Sequence, residues 1–121
     1  MRRVLLDEGV PIGVRQLIVG FAVDAAAERG WAGLINGDLI AAAEQAGYDV
    51  MITADQNIGY QQNMAGRRLA LIVLTTNHWD TIRDNGEGIL PAVEAAMAGS
   101  YVMIDFPKPP RRRRPWPPPA A

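Results

Sequence analysis

Two aspartates follow short apolar runs in this sequence, and acids in such positions can bind metal ions or substrates. Asp7 comes directly after the run 4–6, and Asp55 lies in the turn that follows the run 50–53. Short apolar runs that end in turn residues are typical of buried strands. Because ligands of open α/β sheets bind at the carboxyl ends of the strands, we expect both carboxylates at one such edge.

A third acid, Asp38, stands where an alanine-rich helix is expected to begin. Carboxylates that lie close together repel one another, so a cluster of them requires a compensating cation. Mg²⁺ prefers oxygen ligands and is bound through one or two carboxylates together with substrate phosphate. There it polarises a phosphoryl oxygen and prepares a water for attack. Asp7, Asp38 and Asp55 are therefore candidate ligands of a divalent cation.

Each of these acids also has a purely structural explanation. Asn36 or Asp38 is a suitable cap for the helix, and an acid there favours the helix dipole without any metal. Asp55 followed by Asn57 is typical of a turn. The structural explanation is the stronger one for each acid alone. The metal hypothesis depends on the pair of acids after two buried strands.

The rest of the pattern alternates strands with helices. Apolar runs predict strands at 3–6, 49–53, 69–74 and 100–104, and helices are predicted to begin at Pro11, at the turn 36–38 and near Gly88. A further strand is expected at 21–23, although 24–28 is equally compatible with a helix, and 58–68 is expected to be a short helix or an irregular turn. Such alternation predicts a single-domain, three-layer α/β/α fold with a mostly parallel sheet.

Composition divides the chain into a domain, 1–106, and a Pro/Arg-rich tail, 107–121, which is predicted to be disordered. Residues 108–121 hold 5 of the 12 basic residues and none of the 13 acidic ones, so the rest has 7 basic and 13 acidic residues and a formal charge of −6. Because the domain is acidic and the tail is basic, the two parts need not share partners.

The tail has three explanations. Arg111, Arg112, Arg113 and Arg114 beside Trp116 favour RNA, through phosphate contacts and base stacking. Proline-rich segments also dock in aromatic grooves of partner proteins. The third explanation is a disordered end that keeps the protein soluble.

The cysteine content and the hydropathy of the sequence indicate the cellular compartment of the protein. The chain has no cysteine, which excludes disulfides and thiolate metal sites and fits a reducing cytoplasm. The apolar run 69–74 is too short to span a bilayer, so no membrane partner is expected. The single histidine, His78, excludes a metal site built from several histidines.

The segments VLLDEGVP at 4–11, GDLIAAA at 37–43 and VMITADQNI at 50–58 together resemble the PIN-like domain family. Residues 4–11, VLLDEGVP, resemble the opening strand and Asp-Glu-Asn-x-Pro turn of its toxin-type members. Residues 37–43, GDLIAAA, resemble the segment in which an acid precedes an alanine-rich helix. Residues 50–58, VMITADQNI, resemble the strand that ends in Thr-x-Asp-x-Asp-Phe. The resemblance extends in order and spacing over residues 1–105.

The resemblance implies a Mg²⁺- or Mn²⁺-dependent endoribonuclease that acts on RNA, as the toxin half of a toxin–antitoxin pair with a small antitoxin protein as partner. Asp7, Asp38 and Asp55 match its acidic positions, and Glu8 and Asn57 are further candidate ligands. Asn57 stands where many relatives have Asp, and Ile58 replaces their aromatic residue. The family's middle-helix acid has no clear counterpart.

These departures favour an alternative, a PIN-like binding module without cleavage that acts through protein or RNA contacts. The sequence leaves a homodimer open.

Overall fold

Five strands of the described residues form one sheet. The structure, a computed structural model, describes residues 2–34, 36–56 and 64–108. The strands are β1 (Arg3–Leu6), β2 (Ala22–Ala25), β3 (Val50–Thr53), β4 (Ala70–Leu74) and β5 (Tyr101–Ile104). The α-helices in these ranges are α1 (Asn36–Gln45), α2 (Trp79–Asn85) and α3 (Ile89–Ala95), and 3₁₀ helices cover Ile12–Leu17, Ala26–Arg29 and Gly86–Gly88.

All neighbouring strands of the sheet are parallel, in the order β2-β1-β3-β4-β5. From β1 the chain passes to β2 on one side of β1. It then crosses back to β3, which lies on the other side of β1. Connections that diverge in this way leave a crevice at the carboxyl ends of β1 and β3, where ligands bind in sheets of this order. The predicted single-domain α/β fold with a parallel sheet is confirmed. The strands that carry Asp7 and Asp55 are the two that flank the crevice.

Both faces of the sheet are covered, so the molecule has three layers. Side chains alternate between the faces along each strand. On one face, buried residues of β1, β3 and β4 pack with the segment 10–18 and with α2 and α3. On the other face, Leu5, Met51 and Leu71 pack with Leu39, Ile40 and Ala43 of α1. β3 and β4 are buried throughout, which explains their unbroken apolar runs.

The local structure differs from the sequence-based expectations in three places. The segment after Pro11 is a 3₁₀ helix with Val14 buried, rather than an α-helix. The strand expected at 21–23 is present as β2. The segment 24–28, for which a helix was equally compatible, is divided between the end of β2 and the 3₁₀ helix that follows it. The helix α2 was not predicted, because Trp79 and Ile82 are its only large apolar residues.

The start of α1 corrects a further expectation. The helix already includes Asn36, so neither Asn36 nor Asp38 is its N-cap. Asp38 lies in the first turn, where its charge still favours the helix dipole.

No helix in the described ranges is long and apolar enough to cross a membrane. The residues 57–63, which include most of the expected 58–68 element, lie outside the described residues, as do 109–121 of the tail. The expectations for these segments stay predictions.

Candidate active site at the carboxyl edge

A cavity of about 440 Å³ opens at the carboxyl ends of β1, β3 and β4. We call it the carboxyl-edge cavity. Its lining residues come from the three turns that follow these strands: Asp7, Glu8, Gly9, Ala54, Asp55 and Asn77. The cavity thus lies at the crevice that the strand order creates. The structure brings Asp7 and Asp55 together there, although 47 residues of sequence lie between them.

Asp7 is held in place by neutral hydrogen-bond donors. The Thr53 hydroxyl donates to one carboxylate oxygen over 2.7 Å, and the Glu8 backbone N–H donates to the other over 2.7 Å. The Asp7 backbone N–H itself donates to the carbonyl of Ile52 over 2.9 Å, which extends the β1–β3 ladder by one bond. Each carboxylate oxygen has a second lone pair that these bonds leave for another ligand.

Thr53 connects the two aspartates. Its side chain is fully buried, and its hydroxyl oxygen accepts the Asp55 backbone N–H over 3.1 Å while donating to Asp7. One hydroxyl therefore fixes the carboxylate of one acid and the backbone of the other. This role of Thr53 was not predicted from the sequence. The Thr-x-Asp spacing at the end of β3 is the signal that points to it.

Glu8 and Asn77 are the other polar residues in the described lining of the cavity. Glu8 is exposed, and its carboxylate accepts the Gly33 backbone N–H over 3.4 Å, which ties the loop before α1 to the cavity. Asn77 reaches the cavity from the turn after β4. Asn77 was not among the ligands predicted from the sequence.

Acidic side chains dominate the described lining of the cavity, which contains the carboxylates of Asp7, Glu8 and Asp55. Ion pairs between other described residues join Arg15 to Glu28, Arg67 to Glu44, and Arg83 to Asp80 and Asp84. Carboxylates that lie close together repel one another, and a bound cation relieves that repulsion.

The remaining candidate ligands lie apart from this cavity or outside the described residues. Since α1 runs back to the start of β3, Asp38 in its first turn lies toward the carboxyl edge, but it is exposed and is not among the described lining residues. The expected convergence of all three aspartates stays a prediction as far as Asp38 is concerned. Asn57 and Arg111–Arg114 lie outside the described residues.

No group of three or more acidic or histidine side chains in the described ranges is placed to hold a metal ion by itself. His78 caps α2, because its ring nitrogen Nδ1 accepts the Thr81 backbone N–H at the start of the helix.

Comparison with protein-family models, with curated proteins and with solved structures found no match for this chain. The fold and the site geometry therefore stand on the residues alone. They define an α/β protein with an acidic cavity at the reversal point of a parallel sheet.

Proposed function

We propose that the protein is a Mg²⁺- or Mn²⁺-dependent endoribonuclease of PIN-like type, acting as the toxin of a toxin–antitoxin pair in the cytoplasm. The observation that carries the proposal is that Asp7 and Asp55 line the same cavity, at the crevice beyond the carboxyl ends of β1 and β3. An RNA phosphate enters such a cavity only with a cation that offsets the carboxylates.

Two carboxylates and an amide are donors of the kind that one hard divalent cation takes. Asp7 and Asp55 would hold the ion, with the amide oxygen of Asn77 as a further oxygen donor in the same cavity. Two carboxylates together with substrate phosphate are the usual protein contribution to a Mg²⁺ site. When bound, such an ion polarises a phosphoryl oxygen and lowers the pKa of a bound water.

The protein's own residues orient the reaction. Thr53 and the Glu8 N–H hold the Asp7 carboxylate in one orientation, so little reorganisation is needed when substrate binds. We assign the exposed Glu8 carboxylate as the acceptor of a proton from the attacking water. The water oxygen bonds to phosphorus, the bond to the leaving ribose oxygen breaks, and this oxygen takes a proton from solvent to become a hydroxyl.

The tail supplies the positive charge that the domain lacks. The domain carries a formal −6 and repels RNA, whereas Arg111–Arg114 form a continuous basic run. Each phosphate neutralised by this run steepens the log–log salt dependence of single-strand binding by roughly 0.7. Deleting residues 108–121 should leave the melting curve unchanged and reduce both RNA affinity and its salt slope. Equal affinity and slope with and without the tail would remove it from RNA recognition.

The test of the proposed activity is an RNA cleavage assay with purified protein, with Mn²⁺ or with chelator. Asp7→Asn should reduce the cleavage rate by about 100-fold, since it removes a charge aimed at the reacting centre. Asp84→Asn is the matched control, because it removes the same charge at an exposed site of α2, and it should cleave at the wild-type rate. Equal rates for wild type and Asp7→Asn would refute the assignment.

A second candidate is a PIN-like binding module without cleavage. It is favoured by Asn57, which stands where the resemblance implies a further Asp. RNA binding by wild-type protein that shows no Mn²⁺-dependent cleavage would select this candidate.

A further inference from the structure

The two edge strands of the sheet differ in how they are protected against pairing with another chain. β2 carries a charged residue in its centre, and the Tyr48 hydroxyl donates to its Asp24 carboxylate over 2.6 Å. The Glu28 carboxylate accepts the Ala25 N–H over 2.8 Å, so that amide is not available to another strand. Charges and occupied amides are the usual protection of an edge strand against pairing with another chain.

β5 is the opposite edge strand, and it has neither protection in the part of the chain that the structure describes. The segment 97–104 contains no charged residue. Val102 and Met103 lie on opposite faces of the strand and are 41% and 40% exposed, and the nearby Met97 is 72% exposed. A flat, uncharged and partly exposed edge strand is a template for a further strand.

The hydrogen bonds to β4 show which groups of β5 point outward. The carbonyls of Ser100 and Ile104 accept the N–H groups of Leu71 and Thr75, over 2.9 and 3.1 Å. The backbone N–H and C=O groups of successive residues point to opposite sides of a strand. The groups of residues 100, 102 and 104 therefore pair with β4. The backbone groups of Tyr101, Met103 and Asp105 therefore point away from the sheet. Within the described ranges, no strand lies on that side of β5.

We propose that β5 is the interface of a homodimer, in which the β5 strands of two copies pair antiparallel about a two-fold axis at Met103. In this register Met103 lies opposite Met103 of the second copy, and Tyr101 lies opposite Asp105. The outward groups of the two strands then form three pairs, each of which can exchange two backbone hydrogen bonds.

The side chains are compatible with a second copy of the same strand. Val102 would lie opposite Ile104 of the second copy. Asp105 is the single acid of the paired segment 101–105 and would lie opposite Tyr101, so no like charges are directly opposed. A self-complementary patch of this kind is what a two-fold interface requires. The dimer would have one ten-stranded sheet. Since the strands of the two halves run in opposite directions, the two carboxyl-edge cavities would lie at opposite ends.

The first experiment measures the mass of the full-length protein in solution over a range of concentrations. The wild type should reach twice the chain mass of 13.1 kDa. Met103→Lys and Met103→Glu should each reduce it to the mass of one chain, because each places two like charges opposite one another at the axis. Met97→Lys adds the same charge at an exposed site outside the strand and should stay dimeric.

An equimolar mixture of the Met103→Lys and Met103→Glu chains provides the sharper test. Opposite charges then meet at the axis, and the mixture should recover the dimer mass that neither variant reaches alone. A wild type that stays monomeric at its highest soluble concentration would overturn the proposal. So would variants that stay dimeric, or a mixture that stays monomeric.

If either variant fails to fold, hydrogen exchange on the wild type decides the question. The amides of Tyr101 and Met103 should become more protected as the protein concentration rises. Protection that is independent of concentration would overturn the proposal.

Discussion

The two ends of the parallel sheet both carry cavities lined with acids, but their charges are balanced in different ways. The amino-edge cavity, of about 220 Å³, is lined by Glu44, Gly47, Tyr48, Asp49 and Arg68. There Glu44 forms an ion pair with Arg67 and also accepts the Arg68 backbone N–H over 3.0 Å. At the carboxyl-edge cavity, the described lining contains three carboxylates and no basic side chain.

The difference separates structural acids from candidate functional ones. Glu44 shows how this fold stabilises a carboxylate of its own. Burial acts to raise its pKa, but the Arg68 N–H and the Arg67 guanidinium outweigh burial, so the pKa of Glu44 is lowered. Asp7 receives hydrogen bonds from neutral groups, which fix its orientation without cancelling its charge. Under the proposed function, the carboxyl edge binds a divalent cation from outside the chain.

The largest effect on stability is expected from Thr53→Val, which keeps the shape of the side chain and removes the link between the two aspartates. It should lower the free energy of unfolding by about 1–3 kcal/mol, because two hydrogen bonds of a buried hydroxyl are lost. It should also weaken Mn²⁺ binding by roughly 10-fold, because a residue that orients a metal ligand by a hydrogen bond contributes to metal affinity. Thr76→Val, in the more open turn after β4, is the matched control for urea unfolding and metal titration. Comparable losses in both variants would contradict the special role of Thr53.

Glu44→Gln tests the other end of the sheet. It should lower the free energy of unfolding by about 1–2 kcal/mol, because the charge that balances Arg67 is lost while the amide can still accept the Arg68 N–H. The affinity for Mn²⁺ should not change. A weaker Mn²⁺ response in Glu44→Gln would mean that the two ends are not independent.

A smaller effect is expected in the pH dependence. Because the pKa of Glu44 is lower in the folded protein than its ordinary 4.5, its contribution to stability is complete above that value and is lost as the pH falls through the folded pKa. The difference in unfolding free energy between wild type and Glu44→Gln should therefore shrink below about pH 4.5. Urea unfolding of both proteins between neutral and acid pH measures it. A difference that grows on acidification would contradict the lowered pKa.

The sequence allowed the sheet to be predicted better than the helices around it. Buried parallel strands are apolar throughout, so β3 and β4 were placed to within one residue. The helix α2 is short and mostly polar, and it depends on the His78 cap and on packing against the segment 12–17. Such support comes from tertiary contacts, which local sequence patterns do not contain.

The site also combines features that local sequence patterns predict with features that depend on tertiary contacts. Asp7 and Asp55 follow strands directly, so the parallel order of β1 and β3 alone places them at one edge. Asp38 belongs to a helix, and its position relative to the cavity depends on how the loop 30–34 and α1 cross the sheet. The Thr53 hydroxyl bond to Asp7 spans 46 residues of sequence and could be found only once β1 and β3 were known to be neighbours.

The most direct test of the account is the melting temperature of three proteins with Mn²⁺ and with chelator: wild type, Asp7→Asn and Glu44→Gln. With Mn²⁺ at about 100 times its Kd, the wild type should melt about 10 °C higher than in chelator, because the ion binds only the folded state. Glu44→Gln should melt at a lower temperature than the wild type in chelator and show the same increase with Mn²⁺. Asp7→Asn should show almost no increase. An equal increase in wild type and Asp7→Asn would contradict the claim that the carboxyl-edge cavity is a metal site.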